Sequence, residues 1–381
     1  MKNVIFADVT FRKIIPLALL LLASLSLSGQ EKQPSWLVRT IRSFATPKKH
    51  FDSTYVFQTK LVWTVALESE LLRPGADLFG DFTADVRLWD SFSIQDGSVQ
   101  VGLEDRPCQK LGLAVGYGTL RLGYGIQVGR REGERNTYFG FGLHSACYSA
   151  QIRYYQVHPH PTGTIDFGGS FPVSLTSAVP GEIRVLTLDG SYAFNRHRFV
   201  YNAAYTGRHL QRRSAGSWMV TAKYLQGDFS LNPDETAALG LSGPFRVDTR
   251  QFSAGGGYSF NWTIFHQDPV DEKNKGLRNL TVNATALPMV SFVSLVREGE
   301  GESDRQTVRY KNIPTFTPAA RGAICYSLDR WSIGVEAAYS RYDFRGAEKD
   351  FSLPGSDQPV HVKARGVFHD LVFKGKVNLH F

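Results

Sequence analysis

The sequence predicts an all-β protein, a transmembrane antiparallel up-and-down β-barrel of roughly 12–14 strands. Three observations predict it. The final twelve residues alternate: Leu371, Phe373, Gly375, Val377, Leu379 and Phe381 take one face, and Asp370, Lys374, Lys376, Asn378 and His380 take most of the other. About a dozen earlier segments repeat that period of two, each with one apolar and one polar face. Beyond the amino-terminal leader, no apolar stretch reaches the roughly 20 residues a spanning helix needs.

The leader reads as an export signal over residues 1–28. Lys2, Arg12 and Lys13 precede a short apolar run, Ile14 to Leu22, and small residues from Ser24 to Gly29 suit cleavage. No cysteine follows directly, so a lipoprotein anchor is not expected. Residues 29–51 read as a periplasmic segment in which Trp36, Leu37, Ile41 and Phe44 share one face of a short helix. The barrel is assigned to residues 52–381.

Its apolar faces follow in order. Phe57, Thr59, Leu61, Trp63 and Val65 come first, then Leu111 to Tyr117, Leu120 to Val128, Phe139 to Leu143 and Tyr148 to Tyr154, taken at alternate positions. The second half gives Leu186, Leu188, Tyr192 and Phe194, then Phe199, Tyr201, Ala203 and Tyr205. Trp218 to Tyr224, Phe252 to Trp262, Leu280 to Ala286, Ala320 to Tyr326 and Trp331 to Tyr339 complete it before the last strand. These segments run about nine to thirteen residues, the length of a tilted membrane strand. Aromatic residues recur near their ends, where an amphipathic ring meets the membrane–water boundary.

With the final strand descending to the periplasm, long loops at Phe344–His369, Val293–Pro318 and Gln226–Asp248 fall outside, and the tight Ser327–Arg330 turn falls inside. Further back this alternation fails. It places the tight Asn195–His197 turn outside and the long stretch Val157–Glu182 inside, so either a strand is uncounted or one loop breaks the rule. Asp81–Leu103 is the region least well described by the pattern.

The chain has 43 basic and 35 acidic residues, a balance of +8. Lys2, Arg12 and Lys13 against Asp8 account for +2, leaving about +6 after export. No nucleic-acid partner is expected. Cys108, Cys147 and Cys325 are odd in number and give no complete disulfide framework. Cys147 and Cys325 read as small packing residues.

Several stretches carry a resemblance. They are Asp52-Ser53-Thr54-Tyr55-Val56, the Leu/Gly/Tyr hairpin from Lys110 to Tyr124, and Tyr192-Ala193-Phe194-Asn195 followed by Phe199-Val200-Tyr201. Gln211-Arg212-Arg213-Ser214-Ala215-Gly216-Ser217 is the most specific, and Gly255-Gly256-Gly257-Tyr258 with Asn261-Trp262 completes the set. Together they resemble an exported Bacteroidetes family of unknown function, domain of unknown function 4421. The resemblance implies an outer-membrane, barrel-like protein and no particular activity.

Function must therefore come from the residues. The inward positions read as Lys60, Lys110, Arg121, Arg153, Arg198, Lys223, Arg321, Lys374 and Lys376 against Glu68, Asp189 and Glu336. So many charges need water or ion pairing. A wet basic lumen favours anionic solutes, whereas neutralisation would close it. His209, Gln211, Ser214 and Ser217 form a second cluster. A lipid-modifying hydrolase would need a serine in hydrogen-bond reach of an oriented base; the alternative is a tight turn in which these side chains bond locally. A third reading is a barrel that docks proteins through its long loops. His158 and His160 flank Pro159 without a third ligand nearby, so no metal site is expected. His144 is isolated. The Asn-x-Thr triplets at Asn261, Asn279 and Asn283 read as coincidences of Thr-rich strands, and Gly123-x-Gly125 lacks the helix a phosphate loop requires. No cofactor is expected. Outer-membrane lipid, lipopolysaccharide and, through Phe381, the barrel-assembly machinery are the expected partners.

Overall fold

The computed structural model describes residues 51–381, apart from 84–85, 90–91, 95–96, 105–107, 119, 129–136, 159, 167–172, 177–180, 232–244, 301–309, 312–313 and 353–358. The predicted leader and nearly all of the predicted 29–51 helix lie outside the described residues. Twelve antiparallel strands close into a barrel. They are β1 (Trp63–Thr83), β2 (Gly97–Glu104 continued by Cys108–Tyr117), β3 (Leu120–Gln127), β4 (Thr137–His144), β5 (Tyr148–Val157) and β6 (Glu182–Ala193). Then come β7 (Ala215–Leu231), β8 (Phe245–Gln267), β9 (Arg278–Leu287 continued by Met289–Glu300), β10 (Ala319–Leu328), β11 (Trp331–Ser352) and β12 (Pro359–His380). Each pairs with the next, and β1 pairs with β12 from Thr64↔His380 to Thr83↔His361. Trp63 and Phe381 exchange backbone hydrogen bonds of 2.8 and 3.0 Å at the foot of that seam. Closure removes the unpaired edges an open sheet would leave in lipid.

The alternation read from the sequence is the alternation of the walls. Leu67, Leu113, Ile126, Trp218, Tyr258, Trp262, Ile333, Val335 and Phe373 are exposed on the outside, while Glu70, Lys110, Ser217, Lys223 and Asn378 are buried on the inside. On β8 the regularly alternating exposed apolar positions run from Phe252 to Trp262, and exposed Ile264 and Phe265 follow at a register shift toward the turn. Ten rises of roughly 3.3 Å at a tilt near 40° give a belt about 25 Å high, the thickness of an outer-membrane apolar band.

The strands are longer than the sequence predicts. β1, β8, β11 and β12 have 21, 23, 22 and 22 residues. Much of the predicted loops at 226–248, 293–318 and 344–369 is continued ladder, because polar residues pair as well as apolar ones once the neighbouring strand supplies the register. Beyond the belt β11 adds about 13 residues and β12 about 12, a wall roughly 30 Å taller on that side. Within 81–103, β1 ends at Thr83, Val86–Trp89 pairs with Phe92–Ile94, and β2 begins at Gly97. Strands β3 and β4 stop short. Above them His160–Asp166, continuing β5, pairs directly with Gly97–Glu104 of β2.

Two predicted strands are corrected. The first apolar face, Phe57 to Val65, is not one strand: Val56–Gln58 pairs with His209–Gln211, and β1 begins only at Trp63. The second is decisive for topology. Phe199, Tyr201, Ala203 and Tyr205 belong to no strand. Residues 194–214 leave β6, turn, form the short helix α1 (Ala203–Thr206) and return to β7. Every residue from Phe199 to Tyr205 is buried, so the apolar alternation there reflects enclosure, not a lipid face. With this segment removed from the strand count, 158–181 joins the long connections at one end. The 194–214 insert then joins 118–119, 145–147, 268–277 and 329–330 at the other, as a barrel with long outer loops requires.

Candidate functional site

The insert plugs the inner end of the barrel. Ala193, Phe199, Tyr201, Ala204 and Tyr205 pack on Ala215, Met219, Leu287, Met289, Ala319, Ala323 and Cys325. All but Leu287 and the two methionines on the wall side are small, which leaves room for rings inside the barrel. Val200 and Ala203 form a second apolar cluster with Val56 and Ala146. α1 ends at Gly207 with φ +64°, a conformation that favours glycine. A Cβ there would also collide with Ser332 Oγ of β11, so the plug lies against the wall.

Gln211 holds it. This side chain is fully buried. Its Oε1 accepts from the Val200 N–H at 3.0 Å and from Asn261 Nδ2 at 3.4 Å. Its Nε2 donates to the carbonyls of Arg198 at 2.6 Å and Tyr55 at 3.2 Å. Its own carbonyl accepts from Asn279 Nδ2 at 2.9 Å and Thr263 Oγ1 at 3.1 Å. Asn261 Nδ2 also donates to the Val200 carbonyl, Asn283 Nδ2 donates to Asn261 Oδ1, and Tyr205 donates to Asn283 Oδ1 at 2.7 Å. The three asparagines of the Asn-x-Thr triplets thus face the lumen and bind the plug. Asp52 ties on the amino-terminal side. Its N–H donates to the His197 carbonyl, and its carboxylate pairs with Arg198 at 3.4 Å. Hydrogen bonds from Thr54, with Arg198 beside it, hold the Asp52 carboxyl below its ordinary range.

The hydrolase cluster has a different geometry from the one catalysis needs. Ser214 Oγ accepts from the Thr263 N–H at 3.0 Å. Ser217 is buried; its Oγ accepts from the Asn195 N–H at 2.9 Å and donates to the Trp218 carbonyl at 2.7 Å. Both hydroxyls serve the backbone of a turn. His209 lies beside Phe51, ring centroids 5.9 Å apart and the rings tilted by 44°. Gly216 lies on the outer face beneath Tyr258 and Phe260, whose rings a Cβ would strike. His158 lies 3.9 Å from Glu182, and among the described residues no three His, Cys, Asp or Glu side chains gather as metal ligands.

Seven of the nine predicted basic residues enter the lumen: Lys110, Arg121, Arg153, Lys223, Arg321, Lys374 and Lys376. Two do not. Lys60 precedes β1, is mostly exposed and pairs with Glu272 on an inner-end turn. Arg198 is on the outward side of the plug, over the Tyr55 ring. Both positions belonged to the stretches misread as strands. The predicted inward charges also left out two lumen acids, Glu70 and Asp370, although they share a face with Glu68 on β1 and with Lys374 and Lys376 on β12, and Asp370 stands on the polar face of the final strand. Arg121 and Lys374 share Glu68, the latter at 3.1 Å, and Lys374 reaches Glu70 at 3.6 Å. Lys376 pairs with Glu336 at 3.4 Å. Arg153 bridges Asp189 at 3.3 Å and Asp370 at 3.7 Å, and Lys223 joins Asp189 at 3.5 Å. Between this network and the plug lies a chamber of about 50 Å³, lined by residues including Arg121, His144, Tyr201, Arg321, Glu336 and Lys374.

Fold and lumen together define a transmembrane β-barrel of the outer-membrane type, closed by a segment of its own chain. The chain belongs to the family described as domain of unknown function DUF4421, whose model matches residues 86–353. The stretches that carry the resemblance in sequence mostly converge on the plug: Asp52–Val56, Phe199–Tyr201, Gln211–Ser217 and Asn261. Solved structures similar to it include the Escherichia coli outer membrane protease OmpT, at 7% identity and TM-score 0.41, covering 85% of this chain and 99% of that one. Another is the β domain of the Bordetella autotransporter BrkA, at 10% identity and TM-score 0.29, covering 81% and 99%. A third is the Pseudomonas putida toluene transporter TodX, at 6% identity and TM-score 0.23, covering 84% and 90%. No curated protein matches the chain in sequence.

Proposed function

We propose that this protein resides in the bacterial outer membrane as a shut barrel, an anchored scaffold whose tall outer wall meets partners at the cell surface, and not as a passive pore. The observation that carries this reading is the insert 194–214, folded into the inner mouth and latched by Gln211. The ion pairs above it support the same reading, since a channel for solutes needs charges that face water, whereas these face one another. Lipid and lipopolysaccharide are the partners the apolar belt would meet. Phe381, half exposed at the foot of the seam, is the residue offered to the assembly machinery.

Reconstituted wild-type protein in planar bilayers is expected to give no steady current. A stable porin-sized conductance overturns the reading. For orientation, a cysteine placed between residues 353 and 358 should react with a membrane-impermeant maleimide on intact cells; protection there with labelling only after lysis would invert the topology. A second reading, a gated anion pathway, draws on the surplus of lumen cations, seven against Glu68, Glu70, Asp189, Glu336 and Asp370. It requires current when the plug is released. The hydrolase reading gains no nucleophile from this geometry.

A further inference from the structure

The chamber between the plug and the ion-pair network has an unbalanced charge set. Four cations line it, Arg121, Arg321, Lys374 and Lys376, against two carboxylates, Glu68 and Glu336; 4 − 2 leaves +2. Arg121 and Lys374 are matched to Glu68, and Lys376 to Glu336. Arg321 makes no ion pair with a carboxylate among the described residues. Its neighbour is the Tyr201 hydroxyl. Asp189 and Glu336 act on it only from beyond pairing distance, and each already has a partner, Asp189 in Arg153 and Lys223 and Glu336 in Lys376. The Tyr201 oxygen, on a residue 1% exposed, is within reach of the Arg321 guanidinium and has no other hydrogen-bond partner among the described residues, so its O–H has no acceptor.

A guanidinium with no carboxylate partner, beside a phenol whose O–H has no acceptor, presents the shared chamber with two donors awaiting one acceptor. A buried charge left in that state is costly, and water satisfies the donors but leaves the charge. A chamber of about 50 Å³ is several times the minimum for one water, and so suits a small ion, not an organic solute. We propose that this chamber is a binding site for a small inorganic anion of halide size, held by the Arg321 guanidinium and the Tyr201 hydroxyl. The plug supplies Tyr201 and the barrel wall supplies Arg321, so the anion would bridge the two and fasten the plug in place.

The test uses the full folded protein in detergent, with bromide as the probe. Crystals grown in sodium bromide should show an anomalous peak in the chamber, within hydrogen-bond distance of Arg321 and Tyr201. At constant ionic strength the urea midpoint should rise saturably when bromide replaces gluconate, as binding to the folded state alone requires. Arg321→Gln should lose both the peak and the rise. Tyr201→Phe keeps the ring that fills the plug and should weaken the half-saturating bromide concentration by roughly tenfold, the loss of one good hydrogen bond. It carries the test if Arg321→Gln does not fold. A chamber holding water only, or a bromide response unchanged in Tyr201→Phe, overturns the proposal.

Discussion

Phe199–Tyr205 and Trp218–Tyr224 look alike as text. Both place rings and small apolar residues at alternate positions. In the folded chain the second alternates between buried and outward-facing residues, with Trp218 69% exposed on the belt, whereas the first is buried throughout and turns into α1. The difference lies in the intervening residues. Met219, Thr221 and Lys223 turn to the barrel interior, Met219 against the plug, while Val200, Asn202 and Ala204 are themselves enclosed, Asn202 by donating to the carbonyls of Ser145 and Tyr148. A period of two therefore identifies a strand only when one of its faces is left for solvent or lipid.

The largest way to break this comparison is to remove the buried segment. Replacing residues 198–212 by a short Gly-Ser linker should leave β6 and β7 joined and turn a silent barrel into a conducting one, with anions favoured by the surplus of lumen cations. Continued silence would mean that the ion-pair network, not the plug, closes the lumen. Gln211→Ala keeps the segment and removes its four side-chain hydrogen bonds, at about 1 kcal/mol each. It should lower stability by about 4 kcal/mol in urea and open the Arg212–Arg213 peptide to trypsin, while Val220→Ala on the belt leaves that cleavage unchanged. Gly207→Ala forces an L-residue into positive φ against Ser332 and should cost about 2 kcal/mol.

The smallest effect is on pH. Slight burial pushes the Asp268 carboxyl up, but hydrogen bonds from His266 and Arg212 outweigh it and hold the group below its ordinary 3.8. A lowered carboxylate stabilises the fold above that value and loses its contribution as pH falls below it. Asp268 is 57% exposed, so solvent screening keeps the effect under about 1 kcal/mol. Asp268→Asn should flatten only this acid limb of the urea midpoint and leave neutral pH nearly unchanged.

Much of this was legible in the residues. The belt and the inward charges from Lys110 to Lys376 were readable because lipid and lumen impose opposite demands on neighbouring side chains. The plug was not, since local alternation carries no information about whether both faces are covered. The one signal was arithmetic: counting Phe199–Tyr205 as a strand put a tight turn and a long loop on the wrong sides. Lys60 and Arg198 were misplaced for the same reason. The Gln211 stretch stood out in the sequence, but its role as a latch depends on Val200, Asn261 and Asn279, which only the closed barrel brings together.

The seam between β1 and β12 has a consequence for how such a chain comes to exist. β1 is among the first parts made and has no neighbour on one side until β12 has been synthesised. Contacts so distant in sequence form slowly, and an unpaired ladder in the meantime invites pairing with other chains. For a barrel that resides in the outer membrane, as proposed, the polypeptide must then cross the periplasm whole and guarded, with its two ends brought together only at the bilayer. Damage to the Trp63–Phe381 junction would therefore be felt as lost yield and clumped precursor long before it was felt as a weaker finished barrel.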